Sequence, residues 1–198
     1  MKIGIIKYSA NNIGSLVSAI ERLELDIDFS IEIIEDSSGL DPKSFDRLII
    51  PGVGNFASGA DLLLSKFEKS FFSNALESGI KVLGICLGFQ LLFQSSEEGS
   101  GALGLGFFDG IVRKFPDKPF APPNFGWRDV YYNSELISKF YLVHSYYVEP
   151  QDGDYVSTYN GVNFCAMRRV GNIWGVQFHP EISGKPGTSF LTDFIKND

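Results

Sequence analysis

The sequence is poor in the residues from which metal sites, disulfide frameworks and polyanion-binding surfaces are built. Its 198 residues include two cysteines, Cys86 and Cys165, with no CxxC spacing, so neither a zinc site nor a disulfide scaffold is indicated and no metal or cofactor is expected. Two histidines, His144 and His179, leave few candidates for imidazole chemistry. Lysine and arginine number 17 against 24 acidic residues, a formal charge of -7. That balance, with no basic run, speaks against nucleic acid or an anionic membrane as partner. No apolar run is long enough to span a bilayer. The opening Met1-Lys-Ile-Gly-Ile-Ile6 reads as a first strand, its apolar run too short for a signal peptide. A soluble, cytoplasmic chain is the expectation.

What is present is 44% hydrophobic content, enough at this length for one core, and residues 1–198 read as a single domain. Lys2 to Lys7, Ile31 to Ile34, Arg47 to Ile50 and the run at Val82 have strand character. Helical spacing joins Ile13, Leu16, Val17, Ile20 and Leu23, and recurs over Phe56 to Leu64 and Phe67 to Leu76. Alternation of this kind predicts an α/β fold with a central, mostly parallel sheet flanked by helices. Loops after its strands, at Tyr8, Gly52 and Cys86, then share one edge. After Gly99 come β-branched and aromatic runs: 110–115, 128–132, 141–148, 155–159, 164–170 and 172–178. Turn signals at Gln151-Asp-Gly153 and Asn160-Gly161 predict antiparallel strands added in this C-terminal half, closed by a helix over Thr188 to Ile195.

Cys86 falls where an apolar strand turns into a helical pattern that runs to Gln94, with Gly84 and Gly88 two residues away on either side. Small neighbours let such a turn close and hold a nucleophile clear of the sheet. A thiol at a helix N-terminus also gains from the unpaired N–H groups there. A buried thiol acting as a small hydrophobe is the competing reading, and the base must decide. Cys165, inside Asn163-Phe-Cys-Ala-Met167, reads as core.

His179 follows a strand and precedes Pro180, which favours extended geometry. In an extended chain His179 and Glu181 face the same side and can touch, so the carboxylate can fix the tautomer and leave the other ring nitrogen for Cys86. His144 has no carboxylate at that spacing and reads as a strand histidine with its hydrogen bonds satisfied. His179 is the candidate base.

Pro51-Gly-Val-Gly54 admits two functional readings and the plain one of a turn. Gly52 to Ala57 fits a dinucleotide fingerprint, but it follows the third strand and no strand ends in an acid about 20 residues on. Alternatively, the Val53 amide and the Leu87 amide are the two donors of an oxyanion hole.

Taken together, Gly84-Ile-Cys-Leu-Gly-Phe-Gln90, Pro51-Gly-Val-Gly54 and His179-Pro-Glu181 resemble the motifs of the class I (triad) glutamine amidotransferases. Among these, 91–99, Gly104-Leu-Gly106 and Val143-His-Ser-Tyr146 are similar to the glutaminase subunits of imidazole glycerol phosphate synthases. The resemblance implies a Cys86–His179–Glu181 triad that hydrolyses glutamine through a thioester. Gly52, Gln90, Glu98, Ser145 and Tyr146 would hold the substrate. It also implies a heterodimer in which ammonia passes to a (βα)₈-barrel cyclase subunit in histidine biosynthesis, with Tyr8, Asn12, Asn124, Trp127 and Ile182 at the interface.

Departures from the family pattern cluster on that expected interface. The first loop reads Lys7-Tyr-Ser-Ala-Asn-Asn12 where Asp-Tyr-Gly-x-Gly-Asn is usual. Pro123-Asn-Phe-Gly-Trp-Arg128 replaces Pro-His-Met-Gly-Trp-Asn, and Ile182 stands where a lysine commonly follows the His-Pro-Glu motif. They leave the triad intact and leave open a related glutaminase that supplies ammonia for amidination of a bacterial surface sugar.

Overall fold

A computed structural model describes residues 1–9, 13–99, 101–117 and 121–197. The first half alternates β1 (Lys2–Ile6), α1 (Gly14–Glu21), β2 (Ser30–Ile34), β3 (Arg47–Ile50), α2 (Phe56–Lys66), α3 (Lys69–Glu77) and β4 (Lys81–Ile85). After Cys86 come a short α4 (Leu87–Gln90), then β5 (Phe93–Ser96), β6 (Ala102–Leu103), β7 (Phe108–Lys114), β8 (Asn124–Tyr132) and β9 (Glu135–His144). β10 (Tyr146–Val148), β11 (Tyr155–Tyr159), β12 (Val162–Val170), β13 (Ile173–Val176) and α5 (Gly184–Lys196) complete the chain.

Among the described residues the main sheet has nine strands in the order β2-β1-β3-β4-β13-β12-β11-β8-β9. Pairing is parallel from β2 to β13 and antiparallel from β13 to β9. The parallel half is covered on both faces, as its unbroken apolar strands require. On β3, Leu48 and Ile50 face the core formed with Phe56, Leu63, Phe67 and Phe72 of the α2–α3 layer. Ile49 faces the opposite core, with Leu16 and Ile20 of α1 and Leu191 and Phe194 of α5. The period-two alternation of a strand thus divides one apolar run between two cores. No described helix is long and apolar enough to cross a membrane.

Three local expectations change. The helix after Cys86 ends at Gln90 instead of reaching Gln94. The carbonyls of Leu91 and Leu92 accept from Leu105 (2.7 Å), Phe107 (2.8 Å) and Phe108 (2.9 Å), so Phe93–Ser96 becomes a strand. That strand belongs to a second sheet of four, in the order β10-β7-β5-β6. The turn at Gln151-Asp-Gly153 therefore joins two sheets and makes no hairpin, whereas Asn160 (φ 53°) and Gly161 (φ 74°) do close the β11–β12 hairpin.

A buried ion pair holds the junction of the two sheets. Arg168 on β12 donates to Asp154 from Nε (2.9 Å) and Nη2 (2.7 Å), and to the Asp109 carbonyl from Nη1 (2.9 Å). Both side chains are nearly inaccessible, at 4% and 3%. Asp154→Ala leaves the guanidinium uncompensated and is expected to cost about 3–5 kcal/mol in a denaturant titration. A loss below about 1 kcal/mol, the range of an exposed pair, would contradict this role.

Candidate active site

β13 is the last strand in the chain, yet it lies beside β4, pairing Val176 with Ile85. The Cys86 N–H then donates to the Val176 carbonyl at 2.8 Å, and the segment beyond β13 runs past the cysteine. Cys86 itself has φ 54° and ψ −109°, a conformation that side chains other than glycine rarely adopt. The turn is as crowded as its glycines imply. A Cβ on Gly88 would lie 1.7 Å from the Ile50 carbonyl oxygen, and one on Gly84 2.7 Å from the Gly88 oxygen. The four-residue α4 offers little of the N-terminal field expected of a longer helix. What acts on the sulfur is its side-chain surroundings.

His179 is extended (φ −101°, ψ 95°), and its Nδ1 lies 2.8 Å from Glu181 Oε1. Its backbone is clamped on both sides: N–H donates to Tyr141 O (2.9 Å), and its carbonyl accepts from Ser183 Oγ (2.6 Å). Nε2 is buried and makes no hydrogen bond within the protein. Burial disfavours the imidazolium, but the Cys86 charge, and after it Glu181, outweigh burial and raise the His179 pKa to about 10. A folded-state pKa above the usual 6.5 means that the protonated ring adds stability fully below pH 6.5 and loses it as pH rises through 10. An NMR titration of His179 is expected to have its midpoint near 10 and to fall by about a unit or more in Cys86→Ala. A wild-type midpoint near 6.5 would show that no such charge pair exists.

His144 is committed elsewhere. Its Nδ1 donates to the Tyr146 carbonyl (2.8 Å) and Nε2 faces Asn124 Nδ2 (2.9 Å), so the ring accepts there. Burial lowers its pKa to about 4; the Tyr146 bond opposes this, and the charges of His179 and Arg128 reinforce it. It is a neutral, saturated histidine with no nitrogen to offer Cys86. Cys165 is fully buried, and burial pushes its thiol pKa up.

The Val53 and Leu87 amides do not stand as a pair of oxyanion donors. Leu87 N–H donates to the Gly52 carbonyl at 3.2 Å. In a trans peptide the Val53 N–H points opposite to that carbonyl, away from Leu87. The loop is packed from below by Tyr8, since a Cβ on Gly52 would lie 2.1 Å from the Tyr8 hydroxyl. That hydroxyl is buried without a hydrogen-bond partner; burial, and then the Cys86 charge, raise its pKa.

Cys86 opens onto a cavity of about 240 Å³ walled by Val53, Gly54, Leu87, Gln90, Glu98, Pro123 and 143–146. His179, Glu181 and Gly52 line an adjoining cavity of about 280 Å³ that shares Val53 and Val143. Larger clefts, of about 450 Å³ beside α5 and 520 Å³ beside α3, contain neither cysteine. Glu98 accepts from Phe56 N–H (2.7 Å) at the start of α2. A carboxylate thus occupies the helix end where a dinucleotide's pyrophosphate would sit, which removes that reading of Gly52 to Ala57. The Ser145 and Tyr146 carbonyls are both taken within the protein, by Phe115 N–H and by His144 with Gln90.

Two of the expected interface residues are not on the surface. Tyr8 is buried beneath Gly52, and Asn124 is buried against His144. Trp127 and Ile182 are exposed, at 50% and 47%, and Phe125 and Val53 beside them at 61% and 49%. Tyr141 makes edge contacts with both Phe125 and Trp127, which gathers the rim next to His179. Asn12 lies outside the described residues.

Sequence reasoning passed over Gln177 and Ser183. Gln177 Nε2 lies 3.8 Å from Cys86 Sγ, and Ser183 Oγ both donates to His179 O and accepts from Tyr141 N–H. Gln177 did leave a trace: an amide between the apolar Val176 and Phe178, two residues before the candidate base.

The chain belongs to the class-I glutamine amidotransferases, whose family model matches residues 8–197. It is 38% identical to the imidazole glycerol phosphate synthase subunit HisH of Geobacillus kaustophilus, over 98% of this chain and 95% of that protein. With the subunit of the same name from Methanocaldococcus jannaschii it shares 35% identity, over 98% of each. Among solved structures, that of PurLQS from Thermotoga maritima superposes with a TM-score of 0.70 at 20% identity, over 98% of this chain and 96% of that one, a likeness of fold.

Proposed function

We propose that this chain is the glutaminase subunit of an imidazole glycerol phosphate synthase. The observation that carries the reading is the constellation of Cys86 at a strained turn, His179 with a free, buried Nε2, and Glu181 on its Nδ1. Cys86 gives its proton to His179 Nε2 and attacks the side-chain carbonyl carbon of glutamine. His179 returns the proton to the leaving nitrogen, so ammonia departs and a thioester remains. Water, deprotonated by the same ring, then releases glutamate. Glu181 holds the tautomer and does not itself take the proton. Gln90, whose NH₂ is spent inside the protein, keeps its carbonyl oxygen for the substrate's donors. The exposed apolar rim of Phe125, Trp127, Val53 and Ile182 is the docking surface for a (βα)₈-barrel cyclase subunit, which receives the ammonia.

Mixing the chain with the barrel subunit of its own organism tests this. Cyclised product should form from glutamine and stop in Cys86→Ala, while free ammonium still supports it. Product from ammonium alone, with none from glutamine, would contradict the reading.

A further inference from the structure

Five polar links join the buried face of β8 to the nucleophile. Asn124 Nδ2 meets His144 Nε2 at 2.9 Å, and His144 Nδ1 meets the Tyr146 carbonyl at 2.8 Å. Gln90 Nε2 reaches the same carbonyl at 3.1 Å and Gln177 Oε1 at 2.9 Å. Gln177 Nε2 lies 3.8 Å from Cys86 Sγ. The directions follow from chemistry alone. A carbonyl only accepts, so both His144 and Gln90 must present N–H groups to Tyr146. The second N–H of Gln90 then faces Gln177, which must answer with its oxygen. That leaves the Gln177 NH₂ toward the sulfur, since the reverse flip of Gln177 would set its NH₂ against the NH₂ of Gln90 and its oxygen against the sulfur. Gln177 is fully buried, and Gln90 and His144 are nearly so at 5% and 6% exposure.

We propose that Gln177 is a further residue of the reaction: its amide donates a hydrogen bond to the Cys86 sulfur and stabilises the thiolate formed when His179 takes the proton. Gln90 and the Tyr146 carbonyl are its positioning groups, because they forbid the orientation that would turn an oxygen toward the sulfur. The assignment rests on Cys86 being the nucleophile of the proposed glutaminase. It gives this amide, one residue past the end of β13, a reason to be polar at full burial, where an apolar side chain would cost less to bury. Charge-assisted bonds of this kind are about twice as strong as neutral ones, so their loss should register in the thiolate titration. The other ionisable groups around Cys86 are His179 and Glu181 beyond β13, Tyr8 beyond β1, Glu98 across the cavity and the neutral His144. The substitutions below leave all of them in place.

The test is the pH dependence of Cys86 alkylation by iodoacetamide, followed by intact mass, with buried Cys165 as internal control. Gln177→Met keeps the volume and removes the donor; Gln177→Glu replaces the donor with an acceptor. Each is expected to raise the midpoint by about one pH unit, a tenfold loss of thiolate at a fixed lower pH. Gln177→Glu should shift it further than Gln177→Met. Gln90→Met, which frees Gln177 to turn, should produce a smaller rise. A purely structural role would lower the melting temperature and leave the midpoint where it is. An unchanged midpoint in either folded Gln177 variant overturns the proposal; if neither folds, an unchanged midpoint in Gln90→Met does so. Alkylation is read without glutamine, so this failure is distinct from a wild-type chain that does not hydrolyse glutamine.

Discussion

Replacing Cys86 with alanine is expected to reduce glutamine hydrolysis by about 10⁴-fold or more while the fold survives. The side chain points into the cavity from a turn whose closure depends on Gly84 and Gly88, so removing the sulfur leaves the packing untouched. The other cysteine of the sequence cannot take its place. Cys165 is sealed in the core with its thiol pKa raised, and Cys165→Ser should retain full turnover if it folds. Steady-state glutamate release by both variants, with melting curves alongside, checks the pair of outcomes. Residual turnover near wild type in Cys86→Ala would mean that the strained turn serves something other than catalysis.

Binding of the proposed barrel partner with its acceptor ligand is expected to raise glutaminase turnover by about a hundred- to a thousandfold, the usual worth of an oxyanion donor. The reason lies in one peptide. With the Gly52 carbonyl on Leu87 N–H, neither amide faces a developing oxyanion. Rotating the Gly52–Val53 peptide frees Leu87 N–H and turns Val53 N–H inward at once. Glycines on either side keep that rotation cheap, and Gly54, at φ 108° with nothing within 4 Å of a would-be Cβ, is the permissive one. Val53 is half-exposed on the apolar rim, where a docked partner can act on it directly. Gly54→Val puts a β-branched residue at that φ and should damp the rise with little effect on subunit affinity. Equal turnover with and without bound partner would overturn this regulation and leave the triad standing.

The parallel half of the fold was legible because each strand and helix carries its own period. Arg47–Ile50 lies where its apolar run predicted, and α1, α2 and α3 match their helical spacing within a turn. The contact between His179 and Glu181 was legible from their spacing, although a 3-10 turn over Pro180–Ile182, and not a continued strand, brings the carboxylate to the ring; Cys86 does sit between two glycines. What escaped was non-local. Apart from Gln90, Leu87 to Phe93 carries no polar side chain, and periodicity cannot tell a buried helix from a buried strand there; bonds from the 105–108 backbone end the helix. The β8–β9 hairpin turns on Asn133 (φ 48°) and Ser134 (φ 67°), without the glycine that marks such turns, so β9 begins at Glu135 rather than near Tyr141. Tyr8 and Asn124 were placed on the partner surface because the family's loops lie there. Alternation along β8 turns Asn124 inward while Phe125 and Trp127 face out.

The most direct measurement is covalent trapping. An electrophilic analogue of glutamine, incubated with the chain and its barrel partner and followed by peptide mapping, is predicted to leave one adduct, on Cys86. The adduct should be absent from Cys86→Ala and suppressed by excess glutamine. An adduct on Cys165, or none at all while glutamine is being hydrolysed, would contradict the account.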